Sequence, residues 1–508
     1  MSTIATDPIQ STSSATSVIP RERNRLAPRW KESFRPRRLW GLAWPEWCVL
    51  SLYSAIALIT LRFHEPWADE AQAWLIARDL PFVKMLLQVK YEGTPPLWHA
   101  LLWVLIRLRL PYSQIGTVSA VTMIAAIYLW LRYSPVSWLV RYIVPFTFFL
   151  QYQHAVVARS YCLSTLLAFA LAALWPARRR HLLAIGVLLA LLCQTNLFGF
   201  VLAASLAGVL WLGLYRDRRQ RPVSGERLQL WTSTLLVIAS ACVAAWLAHS
   251  PPDVSFTGTN SLSRIPLKFW WDVAVMNVRL CLLLTFGYVE LGVLLLLAVA
   301  AWLAECKQRL YVAPFAVMLF VTSIVYAKSW HLGMLIVALL ITVWLGWPEV
   351  QTLRSRTWTL VLSTMLVLCF LLQVKWTAVA VRRDIHEPYS GAKAAADFIR
   401  PLVGTRPIFG AHYHSIALLP YFNHNFFANQ PSHSYWAWSY NDTSDVNVQT
   451  RRYSGPAIVV LGWVSFDREL LPANLVAQQF RLTHRYCGHL FMRDGFSEVS
   501  CYDIYERN

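Results

Sequence analysis

The chain has 508 residues, of which 56% are hydrophobic and 14% charged, whereas roughly a quarter of an ordinary soluble domain is charged. With a positive mean hydropathy, this composition excludes a soluble globular protein and points to a polytopic α-helical membrane protein. The net charge of +19 invites a nucleic-acid reading, but Lys and Arg are scattered through short loops between apolar runs; no basic domain forms, and nucleic acid is not an expected partner.

In chain order, Met1–Pro20 is rich in Ser and Thr and lacks the basic start and apolar middle of a signal peptide. Eight basic residues follow between Arg21 and Arg38, so residues 1–45 are expected to form a cytoplasmic tail from which the first span inserts outward. Apolar runs cover Glu46–Phe63, Ser113–Leu131, Tyr142–His154, Tyr161–Trp175, Leu182–Asn196, Phe198–Leu214, Leu230–Leu247, Leu282–Leu303, Tyr311–Tyr326, Leu332–Trp347 and Thr357–Ala378. Several fall short of the ~20 residues a span needs and must borrow from their flanks. The piece Pro96–Leu110 would reach only about 22 Å as a helix, and it holds His99, Arg107 and Arg109. Read as a helix along the interface, it leaves Arg132/Arg141, Arg178–Arg180, Arg216–Arg227, Lys307/Arg309 and Arg354/Arg356 inside, as the positive-inside rule requires. The expected architecture is about eleven spans over residues 46–380, with an outer loop at 64–112 and an extracytoplasmic mixed α/β domain at 381–508.

In that last domain Ser390 can cap a helix with apolar positions Ala392, Ala395, Ala396, Ile399 and Leu402, and Pro407–Gly410 and Ala457–Trp463 read as buried strands. Aromatic rings alternate with hydrogen-bonding groups in His433–Asp445, a pattern that suits either a sugar-stacking surface or a loop packed on its own core. The segment His249–Asp272 ends on three aromatic residues and is a candidate lid. Seven of nine cysteines lie in or beside apolar runs, whereas Cys487 and Cys501 flank a turn at Asp494–Gly495 and are either a cross-strand pair or two free thiols. His412, His414, His424 and His433 have no zinc-site spacing. No glycine-rich phosphate loop and no internal repeat is present.

The chemistry concentrates between Phe63 and His99, where five carboxylates sit close to a lipid boundary. A charge in hydrocarbon costs roughly 2.5–3.5 kcal/mol, so the stretch belongs at the surface, facing something polar. Pro66 is expected at the first helical position, placing Asp69 in the first turn, where the helix dipole favours an ionised carboxylate. Asp69 and Gln72 then share a face, while Glu70 points about 100° away beside Trp74. The two acids are expected to have different jobs, with Asp69 the base that faces substrate. Lys90, Glu92 and His99 form a second group, with Thr94 capping the interfacial helix and Pro95 beginning it. Arg159, next to His154 and Tyr161, forms a third, and Lys328 with His331 a fourth, all on the same outer side.

These motifs together (DEAQAW, YEGTPPLWH, VVARSYCLSTLLAF, SWHLGML and EPYSGAKAAADFIRP) resemble the GT-C glycosyltransferases that take sugar from a polyprenyl-phosphate carrier. The chain looks closest to bacterial members related to protein O-mannosyltransferases and lipid A aminoarabinose transferases. The resemblance implies a GT-C-like membrane domain in the bacterial inner membrane and an inverting transfer to a hydroxyl of an envelope lipid, glycan or protein. Asp69 and Glu70 would be the catalytic acids, with Gln72, Lys90, Glu92, His99, Arg159, Tyr161, Lys328 and His331 binding donor or acceptor. An alcohol needs a positioned carboxylate to attack, and the departing phosphate needs a cation, for which Arg159, Lys90 and His331 are the candidates. Some members bind a divalent metal at this acid, but this chain shows no metal-ligand spacing and no other cofactor motif. The competing readings are a transporter or flippase of lipid-linked glycans and an envelope-assembly scaffold. A transporter should carry polar groups at midmembrane on broken helices.

Overall fold

The structure, a computed structural model, describes residues 41–216, 225–255, 266–325, 328–348, 352–430, 432–441, 446–465, 472–493 and 496–508. The basic tail, the middle of the lid segment, the end of the aromatic segment and the Asp494–Gly495 turn lie outside the described residues. Leu42–Asn508 is one compact unit.

The first half of that unit is helical. It runs through α1 (Trp44–Thr60), α2 (Ala68–Asp79), α3 (Phe82–Gln88), α4 (Leu97–Arg107), α5 (Ile115–Tyr133), α6 (Trp138–Ile143), α7 (Tyr161–Leu174), α8 (Leu182–Cys193), α9 (Leu197–Arg216) and α10 (Glu226–Ala248). After it come α11 (Trp270–Phe286), α12 (Val289–Glu305), α13 (Ala313–Phe320), α14 (Gly333–Gly346) and α15 (Leu353–His386). Five described helices are long and apolar enough to cross a membrane: Tyr112–Tyr133, Leu197–Arg216, Glu226–Ala248, Ser329–Gly346 and Leu353–His386. They become six if α11 and α12, bent by 91°, count as one.

Tyr311–Tyr326 passes from α13 into a π-helical segment at Val321–Val325, and two further expected runs are broken. Leu282–Leu303 is divided between α11 and α12 because Gly287 adopts a positive φ of 85°, which ends α11 and is a conformation that favours glycine. Tyr142–His154 passes from α6 through a 3-10 turn at Val144–Phe146 into a π-helical segment, Phe148–Gln153. The break at Gly287 lies between apolar helices, and Gln151 and Gln153 are buried in the π-helical piece, so a hydropathy average over either run does not show where the helix changes. Two expected caps also shift by a residue or two. Trp67 precedes α2 and leaves Pro66 outside the helix, although Asp69 remains in its first turn. α4 starts at Leu97 behind Pro96, not at Thr94 and Pro95; its first N–H is met by the Gln194 carbonyl at 2.9 Å.

α15 continues to His386 without a break at residue 381 and leads straight into the terminal segment. There α16 (Ala392–Ile399) buries its apolar face, with Ser390 Oγ accepting the Ala392 N–H at 3.3 Å. After it come β1 (Ile408–Ala411), a 3-10 stretch at Tyr413–Tyr421, α17 (Val446–Arg451), β2 (Ala457–Val464), α18 (Pro472–Ala477), β3 (Arg481–Arg493) and β4 (Phe496–Arg507). The sheet order is β1-β2-β4-β3, with β1 parallel to β2 and the other pairs antiparallel. Cys487 and Cys501 stand directly opposite on β3 and β4 and are joined as a disulfide. The terminal segment is packed on the helices: Phe491 meets Phe148 with ring centroids 5.8 Å apart, and Arg383 donates to Ser497 Oγ at 3.0 Å.

Candidate active site

The site is assembled on the first turn of α2. Glu70 is fully buried. One of its oxygens accepts the Trp67 N–H at 3.0 Å, closing the start of the helix, and the other accepts the Ala158 N–H at 2.7 Å, fixing the loop before α7. Its carboxylate is also 3.7 Å from His64 Nε2, and His64 Nδ1 lies 2.9 Å from Asp384 near the end of α15. Burial alone would lower the pKa of His64, but the Asp384 and Glu70 carboxylates raise it to about 10, so the ring is an imidazolium. Glu70 therefore faces protein on every side that the structure describes and is suited to positioning.

Asp69 occupies a different environment. Its Oδ2 lies 3.1 Å from an Arg159 terminal nitrogen, and both side chains keep about a fifth of their surface, 23% and 22%, open. Its Oδ1 accepts the Tyr413 hydroxyl at 2.9 Å. Since Arg159 follows Ala158 as Asp69 precedes Glu70, the two acids form consecutive rungs between the same two segments. The Arg159 guanidinium lies 5.5 Å from the Tyr161 ring and 5.8 Å from that of Trp330. Tyr161 stacks on His154 at 5.4 Å and is 6.2 Å from His331. His331 Nδ1 accepts the Lys328 N–H at 2.9 Å, which assigns the ring proton to Nε2. The start of α14 comes so close that a Cβ on Gly333 would lie 2.4 Å from His154 Nε2, and only glycine fits there.

Gln72 reads the backbone of Trp436 in both directions, donating to its carbonyl at 2.9 Å and accepting its N–H at 2.8 Å. The same amide donates to Glu92 at 2.7 Å. Burial raises the Glu92 pKa to about 7, opposed by the hydrogen bond from Gln72, reinforced by the negative Asp69 and opposed again by a hydrogen bond from Trp438. Near neutral pH this carboxyl exchanges a proton, unlike an exposed glutamate.

The structure thus brings Asp69, Gln72, Glu92, Arg159, Tyr161 and His331 into one connected neighbourhood. The others are placed differently. Lys90 lays its ammonium over the Trp246 ring at 4.3 Å. His99 is buried in α4, its Nδ1 without a hydrogen-bond partner among the described residues. The Lys328 side chain is exposed. Sequence reasoning missed Tyr413, His64, Asp384 and Trp330 as members of the site. Tyr413 and Asp384 lie 344 and 320 residues from their partners, and no local pattern carries such a pairing.

A divalent metal at Asp69 does not suit this arrangement. The two carboxylate oxygens are already engaged, one by the Arg159 cation and the other by a hydroxyl donor, and a guanidinium at 3.1 Å would repel a second cation. Among the described residues no three His, Cys, Asp or Glu groups come together as a metal set.

No family model matches this chain, and no curated protein or solved structure matches it.

Proposed function

We propose that the chain is an inverting glycosyltransferase that moves a sugar from a polyprenyl-phosphate carrier to an acceptor hydroxyl on the outer face of the membrane. The observation that carries this reading is Asp69, an accessible carboxylate held between the Arg159 cation and the Tyr413 hydroxyl. In the reaction the acceptor O–H gives its proton to Asp69 as its oxygen bonds to the anomeric carbon. The bond from that carbon to the phosphate oxygen breaks, and its electron pair leaves with the phosphate beside Arg159. A fixed carboxylate contributes roughly 10²–10⁴ as a general base, and a planar guanidinium matches the phosphate geometry. Glu70 acts here through position: it fixes the backbone next to both Asp69 and Arg159.

The proposal includes the eleven-span topology, with the N-terminus in the cytoplasm and the site outside, because this arrangement keeps all five basic loops inside. Cysteines introduced at Gly93 and Lys328 should react with a membrane-impermeant reagent from outside; protection of both until lysis would reverse the orientation.

The deciding assay is transfer of labelled sugar from a polyprenyl-phosphate donor in reconstituted vesicles. Asp69→Asn keeps the size of the side chain but removes the proton acceptor, so transfer should fall roughly 10²–10⁴-fold while donor binding persists. Unchanged transfer by a folded Asp69/Glu70/Glu92 triple variant would remove the catalytic reading. A transporter is the second reading, favoured by the 91° break between α11 and α12 and the π-helical Phe148–Gln153, since broken helices are where transporters hold cargo. Movement of the lipid-linked sugar across the bilayer with no new glycosidic bond would establish it.

A further inference from the structure

The two oxygens of Asp69 face different chemistry. On the Oδ2 side stand Arg159 and the rings of Tyr161 and Trp330, which suit an anion. On the Oδ1 side stands Tyr413, whose ring lies 4.9 Å from Trp438 and 6.4 Å from Trp436. Trp438 is hydrogen-bonded to Glu92, which also accepts from Gln72. The charged group that acts on Glu92 is Asp69, another carboxylate, and Lys90, two residues away, is turned onto Trp246.

The indoles on this side are fixed without being buried. Trp436 and Trp438 are both half-buried, yet the segment carrying them is tethered from two directions. Gln72 holds the Trp436 backbone. From the other direction the Asp253 carboxylate accepts from Ser439 Oγ at 2.6 Å, Asn441 Nδ2 at 3.2 Å and the Tyr91 hydroxyl at 3.3 Å, while the Ser255 N–H reaches the Trp438 carbonyl at 3.1 Å. These bonds hold the backbone that carries the two indoles. Partly open rings held rigidly beside hydrogen-bonding groups form a preorganised surface for a ligand with apolar faces and hydroxyl edges.

We propose that Tyr413, Trp436, Trp438 and Glu92 form the acceptor subsite and that the acceptor is a neutral saccharide. The inference rests on the transferase reading, because Asp69 must take its proton from a hydroxyl approaching its Oδ1 side while the phosphate leaves on the Arg159 side. Asp69, already paired with Arg159, and Glu92 offer a phosphorylated or otherwise anionic acceptor no counter-charge on that side. A sugar ring can stack on the indoles and direct one hydroxyl to Asp69 and another to Glu92.

The test is saturation-transfer NMR on the full chain in detergent micelles, with neutral methyl hexopyranosides and the matching 6-phosphates as probes. Wild type should transfer magnetisation to ring-face protons of the neutral glycosides and not to the phosphates, and Asp69→Asn should keep the glycoside signal. Trp438→Ala should lower the signal about five-fold and Trp438→Phe should retain most of it, as expected if the ring face is what binds. Because Trp438→Ala can loosen the tethered segment, Glu92→Gln is measured beside it; that variant removes no ring and should weaken the signal about three-fold, because an amide has one acceptor oxygen where the carboxylate has two. Absence of any glycoside signal, a signal unaffected by both Trp438→Ala and Glu92→Gln, or stronger binding of the phosphates by wild type would overturn the assignment. Glycoside binding without sugar transfer in vesicles would keep the subsite and remove the transferase reading; transfer lost in Asp69→Asn with no glycoside signal would do the reverse.

Discussion

Between His64 and Gln72 each ionisable or amide side chain reaches a partner far along the chain: His64 meets Asp384, Glu65 accepts the Lys393 N–H, Asp69 meets Arg159 and Tyr413, Glu70 meets Ala158, and Gln72 meets Trp436. Between Lys90 and His99 the ties are softer, with Lys90 over an indole, Tyr91 donating to Asp253 at 3.3 Å, Glu92 bonded to two side chains and the His99 Nδ1 unpartnered among the described residues. The first stretch joins the helices to the terminal segment, and the second borders the same site from one side. The same residue types therefore carry different structural weight according to what they hold together. Two glutamates, Glu70 and Glu92, allow the contrast to be measured.

The largest expected effect is at Glu70. Glu70→Gln keeps the shape, but an amide has one acceptor oxygen where the carboxylate has two, so either Trp67 or Ala158 loses the acceptor for its buried N–H. It also removes one of the two carboxylates beside the His64 imidazolium. Leaving a buried donor unmet and a buried charge less compensated costs about 2–4 kcal/mol. Glu92→Gln is isosteric at a half-buried site and should cost less than about 1 kcal/mol at neutral pH. Thermal unfolding in detergent measures both, and equal losses would erase the distinction between the two stretches.

Some of this organisation is legible in the sequence because its signals are local. The polar break in an apolar chain exposes the loop, the DE pair after Pro66 puts Asp69 in a first turn, and the strands at Ile408–Ala411 and Ala457–Val464 lie within a residue of the apolar runs that predicted them. The different jobs of Asp69 and Glu70 follow from their 100° separation on a helix. That Glu70 accepts from Ala158, or that Tyr413 faces Asp69, depends on packing between segments 88 and 344 residues apart. Hydropathy likewise sees one run at Leu282–Leu303 where the Gly287 backbone makes two helices. Sequence periodicity specifies faces and not which faces meet, so the members of the site were more legible than its pairings.

The next effect separates the stretches by pH. The folded pKa of His64 is about 10, above its ordinary 6.5, because Asp384 and Glu70 outweigh the penalty of burial. The stabilisation from its charge is complete below pH 6.5 and is lost as pH rises from there through about 10. His64→Gln should be less stable at neutral pH but show a flatter decline over that alkaline window. A decline as steep as in the wild type would mean that the imidazolium is not what links Glu70 to Asp384.

The smallest effect is expected from Glu92, and its window lies lower. Burial, with the negative Asp69 adding to it, raises this carboxyl from 4.5 to about 7. Between those values the folded protein binds more protons than the unfolded chain, so stability falls as pH rises from 4.5 to about 7 and is level with respect to this group outside that range. Glu65 is also raised to about 7 by burial and contributes a slope of the same sign, so the wild-type curve alone cannot isolate Glu92. The difference between wild type and Glu92→Gln can, because Gln does not titrate and Glu65 is common to both. That difference should shift steadily in favour of the variant from pH 4.5 to 7 and then stay constant. If it is flat throughout, Glu92 is an ordinary surface carboxylate, and the side of the site that holds Trp438 is more open to water than its hydrogen bonds indicate.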